Sequence, residues 1–417
     1  MSRSLCTWMR FLLCLLAAMV VVGCGADVAA LTQRAYVWQR DWTSAVEASV
    51  THPITRQLDG LVILAAEVEW DHAEAKPVFA QWNRTTLRDS GAQIGLALRI
   101  APFAGPFSED GPVVDVLKQT VLKVLRELEQ GGIICAEVQI DFDCAQKKLD
   151  GYANWLRGLG DVIHPRRMVI TTLPTWLEEP AFERLLREVD GFVLQVHSVP
   201  PSVPRTEALV CEPDRARRWI AAAAKYGVPF EVALSTYSAL AGYDESGKLL
   251  GVAMDGPPPA WPRGSRLMHL NSSPEELQSL VNEWRAHRPP NLSGVIWYRL
   301  PVASDRRNWN LHCFGKVIRG EPITRDLKVV VSETNPHDLI LRNDGDAEDT
   351  WQQTVRVTWD DAPPVGVDAL RGWTLRTVEG AVEFLPREPL HLPAGSKSVI
   401  GWLRFDQRAS LHVEMLP

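Results

Sequence analysis

Short apolar runs recur along the first 300 residues, and stretches long enough to hold a helix separate them. The eight runs are rich in Val, Ile and aromatic residues and cover residues 34–40, 61–70, 94–101, 136–143, 168–173, 191–197, 230–237 and 294–300. Runs of this kind are typical of strands that are buried on both faces, as in a parallel sheet. We therefore predict eight parallel β-strands.

The segments between the runs show helical periodicity. It is clearest in residues 113–130, where one apolar stripe contains Val114, Leu117, Val121, Val124, Leu125 and Leu128. Further helices are predicted at 149–159, 181–189, 214–226 and 274–287. The last begins with a hydroxyl cap, Pro274 and early acidic residues, which are helix-start signals. Eight strands alternating with helices favour an α/β fold, a closed (β/α)8 TIM barrel, over an open sheet.

The pattern changes near Pro301, and from residue 326 onward apolar and polar positions alternate. Short strand-like segments there are separated by turn sequences such as 343–346 and 393–396. A tail of about 90 residues with six or seven strands is typical of a small sandwich domain. We predict a TIM-barrel domain over residues 34–322 and an all-β immunoglobulin-like sandwich over residues 323–417.

The first residues read as a targeting segment. Arg3 and Arg10 precede an apolar run at 11–22, which is too short for a standard membrane-spanning helix but suits a signal peptide. The run ends in Val21-Val22-Gly23-Cys24, which resembles the lipobox of bacterial lipoproteins. The resemblance implies a signal peptide over residues 1–23, lipidation of Cys24, a tether over residues 24–33 and a cell-envelope location, at the periplasmic face of the outer membrane if the cell is Gram-negative. The alternative is an ordinary signal peptide with an incidental cysteine.

Composition narrows the partners. A formal net charge of −7 and a pI near 5.9 argue against nucleic-acid binding, which needs a basic surface. No CxxC or HExxH spacing suggests a metal, and no Rossmann fingerprint or Walker loop suggests a nucleotide, so we predict neither metal nor cofactor. A disulfide between Cys211 and Cys313 stays open at this stage.

Polar residues gather at the carboxyl ends of the predicted strands. Alternation places Asp143 on one strand face with Asp141 and Gln139, Glu67 with Glu69, Trp38 with Arg40, and Gln195 with His197, while Arg99, Tyr237 and Tyr298 end their strands. In a parallel barrel these ends form the active-site face, so we predict a polar pocket there. The alternative is a structural network in which two arginines neutralise four acids. Because acids outnumber bases, some carboxyl should have a raised pKa and could serve as a general acid.

Sixteen tryptophans are an unusually high number for 417 residues. Five stand near predicted strand ends, namely Trp38, Trp42, Trp70, Trp176 and Trp297. A flat aromatic ring offers a large apolar platform on which a sugar can stack. Core packing is the alternative for each of them.

Three sequence blocks, at 35–42, 138–143 and 294–301, together resemble a bacterial family of domains of unknown function, the one numbered 3142. That resemblance implies no established activity. The fourth strand is also similar to the DxxDxDxE strand of chitinase-like glycoside hydrolases. Aligning the terminal acids places Asp143 on the residue that protonates the leaving oxygen and Asp141 on the residue that orients the substrate acetamido group. Gln139 and Ala136 replace the two earlier acids, and Asp143 replaces a glutamate.

Two functions follow as hypotheses. The first is a glycosidase-like enzyme acting on an extracellular or cell-envelope polysaccharide, with Asp143 as general acid, Asp141 as its partner and Glu69 or Glu67 as nucleophile or base. The second is a noncatalytic carbohydrate-binding or envelope-scaffold lipoprotein on the same barrel. The missing acids on strand four favour the second, and the pair Glu67 and Glu69 favours the first. In either case the predicted ligand contacts are Trp38, Arg40, Arg99, Gln139, Trp176, Gln195, His197, Tyr237, Trp297 and Tyr298.

Overall fold

The structure is a computed structural model that describes residues 30–72, 74–200, 202, 208–254, 258–360 and 362–417. Residues Thr32–Pro417 form a compact unit. The predicted signal peptide, Cys24 and most of the predicted tether lie outside the described residues. None of the described helices has both the length and the apolar character that crossing a membrane requires.

A closed parallel barrel occupies most of this unit. The strands up to residue 298 are β1 (Thr32–Val37), β2 (Gly60–Asp71), β3 (Glu74–Phe79), β4 (Gln93–Ile100), β5 (Cys135–Phe142), β6 (Arg167–Thr172), β7 (Gly191–Gln195), β8 (Ala208–Leu209), β9 (Phe230–Ser235), β10 (Ala239–Tyr243), β11 (Leu249–Ala253), β12 (Arg266–Asn271) and β13 (Leu292–Tyr298). Eight of them pair in parallel in the order β1-β13-β9-β7-β6-β5-β4-β2, and the pairing of β1 with β2 closes the circle. The predicted TIM barrel is thereby confirmed.

Helices follow most barrel strands. They are α1 (Ser44–Val50), α2 (Arg84–Ser90), α3 (Pro112–Gln130), α4 (Leu149–Ile163), α5 (Pro180–Leu186), α6 (Pro213–Ala223), α7 (Pro274–Ala286) and α8 (Leu311–Arg319). The apolar stripe of α3 is buried, as the periodicity predicts. At the start of α7 the Ser273 hydroxyl accepts a hydrogen bond from the backbone N–H of Glu276, which confirms the predicted cap.

Two additions to the barrel were not predicted. Strand β3 turns back antiparallel on the outer half of β2, so that β2 extends beyond the barrel. Strand β8, which precedes β9, and strands β10 to β12, which follow it, form a separate sheet in the order β11-β10-β12-β8, which we call the accessory sheet. Its strands are short, and β10 contains two alanines and a glycine, so its sequence carries a weak strand signal.

The C-terminal region is all β, as predicted. Its strands are β14 (Leu327–Val331), β15 (His337–Asn343), β16 (Asp349–Trp351), β17 (Thr354–Trp359), β18 (Gly366–Ala369), β19 (Trp373–Val378), β20 (Ala381–Pro386), β21 (Leu390–Leu392), β22 (Lys397–Arg404) and β23 (Leu411–Leu416). Two antiparallel sheets, β14-β15-β22-β18 and β19-β20-β17-β23, contribute side chains to one apolar core. That arrangement is a sandwich. The domain limits at 322 and 323 stay a prediction.

Buried polar groups lie inside the lower half of the barrel, below the strand ends that form the mouth, and they line a second cavity of about 230 Å³. The buried Arg34 guanidinium bridges Glu231, to which Nε donates at 2.9 Å, and Glu137, whose Oε1 lies 2.7 Å from Nη2. Cys135, Cys144, Cys211 and Cys313 are free and buried, so the structure contains no bridge between Cys211 and Cys313.

Candidate functional site

A cavity of about 230 Å³ opens at the carboxyl ends of the barrel strands. It is lined by Tyr36, Trp38, Arg99, Asp141, Asp143, Thr171, Gln195, His197, Ala233, Tyr237, Met254 and Tyr298. Most of these side chains come from the inward-facing positions at the ends of β1, β4, β5, β6, β7, β9 and β13, or from the loops that follow them. The predicted polar pocket is therefore present, at the face where TIM barrels hold their active sites.

Asp141 is the most enclosed acid of this cavity, with only 5% of its side chain exposed. Its Oδ1 accepts a hydrogen bond of 2.6 Å from the Thr171 hydroxyl, and its Oδ2 accepts one of 2.8 Å from Arg99 Nη1. Burial raises the pKa of Asp141 to about 6, and the negative charge of Asp143 adds to the rise. Arg99 and Thr171 oppose it, because both stabilise the ionised carboxylate.

Asp143 lies two residues further along the chain, where β5 has ended, and 42% of its side chain is exposed. Its Oδ2 is 4.0 Å from Arg99 Nη2, so Arg99 faces both aspartates. Asp143 can therefore reach a ligand in the cavity, while Asp141 is held beneath it. The predicted sharing of one strand face by these two acids explains their closeness.

Glu67 and Glu69 lie on the extended part of β2 and do not line the cavity. Glu67 forms a close ion pair with Arg40 Nε, and its Oε1 is 4.0 Å from Arg99 Nε. Glu69 is largely exposed and accepts a hydrogen bond of 3.1 Å from Arg40 Nη2. Arg99 thus contacts Glu67, Asp141 and Asp143, as the network alternative proposed, and Arg40 is occupied by the two glutamates.

Gln139 does not reach the cavity either, because it is fully buried one layer below Asp141. Its Oε1 accepts a hydrogen bond of 2.6 Å from the Tyr36 hydroxyl, and its Nε2 donates one of 2.7 Å to Glu137. The amide therefore connects the buried lower layer of the barrel with the floor of the cavity. Its predicted contact with a ligand is replaced by this positioning role.

Aromatic rings form one wall of the cavity. Trp38 packs edge-on against Tyr36 and Tyr298, with ring centroids 5.2 Å and 5.4 Å away. His197 stacks on Tyr298 at 5.4 Å, and its Nδ1 lies 3.2 Å from the Tyr237 hydroxyl. Burial lowers the pKa of His197 to about 4, so the imidazole is neutral at physiological pH. This wall offers apolar faces beside neutral polar groups, a combination that suits a sugar.

Trp176 and Trp297 were predicted to contact the ligand, but the structure places both in the core. Trp176 is 1% exposed and donates its Nε1 proton to the carbonyl of Cys144, and Trp297 is 0% exposed and packs against Trp309 and Phe314. Strand alternation gives the reason for Trp297: its neighbour Tyr298 faces inward, so Trp297 must face the helices. Outside the cavity lining, Trp70 stacks on Phe103 at 4.2 Å, and Trp42 is partly exposed.

Tyr36, Thr171, Ala233 and Met254 line the cavity but were not predicted. Thr171 could have been found from strand register, since β5 and β6 pair Gln139 with Val169, which brings Thr171 next to Asp141 two residues later. Met254 directly follows β11, and nothing in the sequence pattern around it indicated a place at the cavity. In the described part of the chain, the side chains close enough together to hold a metal ion are His269, Glu348 and His391, away from this lining.

Comparison with known proteins agrees with the sequence resemblance. The model of the family described as Domain of unknown function (DUF3142) matches residues 111–303, which confirms the resemblance to that family. A second model, Domain of unknown function (DUF8456), matches residues 328–406 in the sandwich. No curated protein matches the chain.

Several solved structures are similar at low identity. The spore cortex-lytic enzyme SleL of Bacillus megaterium QM B1551 is 13% identical, with a TM-score of 0.49 over 70% of this chain and 75% of that chain. A family GH18 chitinase from Chromobacterium violaceum is 11% identical, with a TM-score of 0.45 over 93% of this chain and 91% of that chain. A glycoside hydrolase family 18 N-acetylglucosaminidase from Paenibacillus barengoltzii is 11% identical, with a TM-score of 0.45 over 70% of this chain and 99% of that chain.

Proposed function

We propose that the protein is a glycoside hydrolase acting on an extracellular or cell-envelope polysaccharide. The observation that carries the proposal is the pair Asp141 and Asp143 at the mouth of the barrel, one buried and one exposed, with Arg99 facing both. A buried acid coupled to an exposed acid is a means of keeping a proton available near neutral pH.

The environment of the two aspartates explains why a proton is retained at the site. Burial and the negative charge of Asp143 raise the pKa of Asp141 to about 6, so Asp141 is the member of the pair that retains a proton up to about that pH. Asp143 is the member exposed enough to reach the glycosidic oxygen, so we assign it the general-acid role, with Asp141 as the neighbour that supplies the proton. Asp141 is fixed by hydrogen bonds to both of its oxygens and holds Arg99 in position. When Asp143 gives its proton to the leaving group, the change in charge is shared with Asp141.

Neither glutamate lines the cavity in this structure, and we propose Glu67 rather than Glu69 as the second carboxylate of the mechanism. Glu67 is mostly buried and reaches Arg99, whereas Glu69 extends into solvent at the edge of the β2–β3 hairpin. Because Glu67 is held by Arg40, it acts as a base only after that ion pair loosens, for example when substrate displaces Arg40. The cavity volume is smaller than that of drug-sized pockets, about 300 Å³ or more, so it suits a single sugar ring against Trp38 and Tyr298.

A noncatalytic carbohydrate-binding function is the second candidate, and a specific observation favours it. Both oxygens of Asp141 already have hydrogen-bond partners, and Glu67 and Glu69 are both paired with Arg40. A site in which three of four acids are satisfied is a reasonable binding site and a poor catalyst.

The deciding experiment compares Asp143→Asn with wild type on a panel of envelope polysaccharides, measuring new reducing ends and binding. If Asp143 is the general acid, turnover falls by about 10²-fold or more, while ligand affinity and melting temperature are kept. Asp150→Asn is the matched control, because Asp150 pairs with Arg184 on the helical surface. Unchanged turnover contradicts the catalytic role of Asp143. Specific binding without turnover by any variant, wild type included, establishes the binding function instead.

The proposal includes anchoring in the cell envelope through a lipid on Cys24, supported by the sequence Val21-Val22-Gly23-Cys24. Wild type should partition into the detergent phase, and Cys24→Ala should not. Cys6→Ala is the matched control, since Cys6 lies in the predicted signal peptide. A wild-type protein found in the aqueous phase contradicts the anchor.

A further inference from the structure

Two histidines and a glutamate meet where the accessory sheet contacts the sandwich. His269 lies on β12, His391 lies on β21, and Glu348 directly precedes β16. Glu348 Oε1 is 3.4 Å from His269 Nε2 and 4.0 Å from His391 Nδ1, and the two imidazoles stack with centroids 3.9 Å apart. One ligand atom from each residue lies within 4.8 Å of the others.

Hydrogen bonding does not account for this arrangement. Glu348 Oε1 is buried and has no hydrogen-bond partner among the described residues, although both imidazoles are near it. A buried carboxylate oxygen without a partner is costly, which suggests that the structure holds it for a ligand.

We infer that His269, Glu348 and His391 bind a zinc ion that connects the accessory sheet of the barrel to the sandwich. Neutral imidazole nitrogens and a carboxylate oxygen are ordinary zinc ligands, and three protein ligands leave a fourth position for water. In a tetrahedral site with bonds of about 2.0 to 2.1 Å, ligand atoms lie about 3.4 Å apart. The distance from His269 to Glu348 already has this value, and the distance from Glu348 to His391 needs a movement of less than about 1 Å. Because an imidazole binds a metal in the plane of its ring, one of the two stacked rings must also turn toward the ion.

The surroundings support a site for a transition metal rather than for calcium or magnesium, which prefer sets of oxygen ligands. The Thr350 hydroxyl lies 3.0 Å from His391 Nδ1, the nitrogen that faces Glu348, and it must give up this contact when an ion binds there. Glu348 also lines a cavity of about 340 Å³, which provides an entry path for an ion.

Two arginines lie near the cluster, and their positive charge bears on its affinity for a zinc ion. Arg325 is neutralised by Glu275, to which it donates hydrogen bonds of 2.6 Å and 2.7 Å. Arg307 adds positive charge close to both His269 and Glu348, and it donates a hydrogen bond to the carbonyl of Met254. We therefore expect Arg307→Gln to bind zinc more tightly than wild type.

The test uses the untagged full-length protein after dialysis against a chelator, with zinc chloride titrated by calorimetry and melting temperatures measured in parallel. Wild type should bind one zinc ion per chain and melt at a higher temperature with zinc. Glu348→Gln, which is almost isosteric, and His269→Ala should each weaken binding at least about tenfold. His412→Ala is the matched control, since His412 pairs with Asp360 on the sandwich surface, and it should bind like wild type.

Equal zinc affinity in wild type and Glu348→Gln would overturn the inference, as would the absence of zinc binding to wild type. If His269→Ala does not fold, Glu348→Gln and Arg307→Gln still test the site in opposite directions. The measurement does not depend on polysaccharide turnover, so it stands apart from the proposed enzymatic function.

Discussion

The two ends of the barrel both contain arginine–carboxylate clusters. The difference between them indicates which cluster stabilises the fold and which could take part in proton transfer. In the lower layer, Arg34 bridges Glu137 and Glu231, and Arg167 Nη1 lies 3.5 Å from Glu137 Oε2. Two cations thus face two anions, and Arg34 and both glutamates are almost completely buried. This cluster balances its charges, with Arg34 and the two glutamates buried and Arg167 reaching solvent.

The mouth has the same residue types in a different balance. Among the described residues, Asp141, Asp143, Glu67 and Glu69 form ion pairs with Arg99 and Arg40 alone, and Asp143 and both arginines are substantially exposed. Surplus acid next to a cavity is costly for stability and useful for proton transfer. A barrel can therefore use its charge-balanced end for stability and the end with surplus acid for binding and proton transfer.

The largest effect is expected from Arg34→Met. The substitution leaves Glu137 and Glu231 buried without their shared arginine, so the free energy of unfolding should fall by about 3 to 5 kcal/mol. Urea denaturation at pH 7 measures it. Arg99→Met is the comparison, and it should cost less than half as much, because the Arg99 side chain is 41% exposed and Asp141 can take up a proton. Equal losses in the two variants would contradict the division of roles between the two ends.

A smaller effect should appear in the pH dependence of Asp141→Asn. The pKa of Asp141 is about 6 in the folded protein and about 3.9 when unfolded, so the folded state binds this proton more tightly. The wild-type protein therefore has the full contribution of the protonated carboxyl below about pH 4 and loses it as the pH rises through 6. Asparagine does not titrate.

Unfolding free energies of both proteins should be measured from pH 4 to pH 7.5. The stability of wild type relative to Asp141→Asn should fall by about 2 to 3 kcal/mol over that range. Groups elsewhere in the protein, such as Glu348 with a pKa raised to about 7 by burial, titrate in both proteins and cancel in the difference. A difference that stays constant or increases with pH would show that the pKa of Asp141 is not raised.

The sequence pattern was sufficient to predict the barrel strands, because each of them is a continuous apolar run. All eight were predicted to within a few residues of their observed bounds. It was insufficient for the accessory sheet, whose short strands β10 and β11 are stabilised by pairing with one another and not by their own composition. At the mouth, alternation within one strand correctly joined Asp141 to Asp143. It could not reveal Thr171, since that contact depends on the register between two strands.

Two tryptophans that were predicted to contact the ligand show a further limit of prediction from strand-end position. A strand-end position suggested that Trp297 faces the ligand, yet alternation with Tyr298 already required the opposite face. Trp176 follows β6 in a short helical turn, where strand alternation no longer applies, and only tertiary packing against Tyr152 and Phe182 determines its burial.

The smallest effect is expected from Thr171→Val, which removes one hydrogen bond to Asp141 and preserves the shape of the side chain. The hydroxyl stabilises the ionised carboxylate, so its loss should raise the pKa of Asp141 further, by about one unit or less. In the pH series, the pH midpoint at which stability is lost should then be higher than in wild type.

Thr172→Val is the matched control, because the Thr172 hydroxyl donates to the carbonyl of Val193 and does not contact Asp141. That variant should be less stable at every pH with an unchanged midpoint, since its lost hydrogen bond involves no titrating group. An upward shift confined to Thr171→Val would establish that the mouth tunes its acid through a specific contact, and equal behaviour of the two variants would show that the Thr171 hydroxyl does not contribute to the pKa of Asp141.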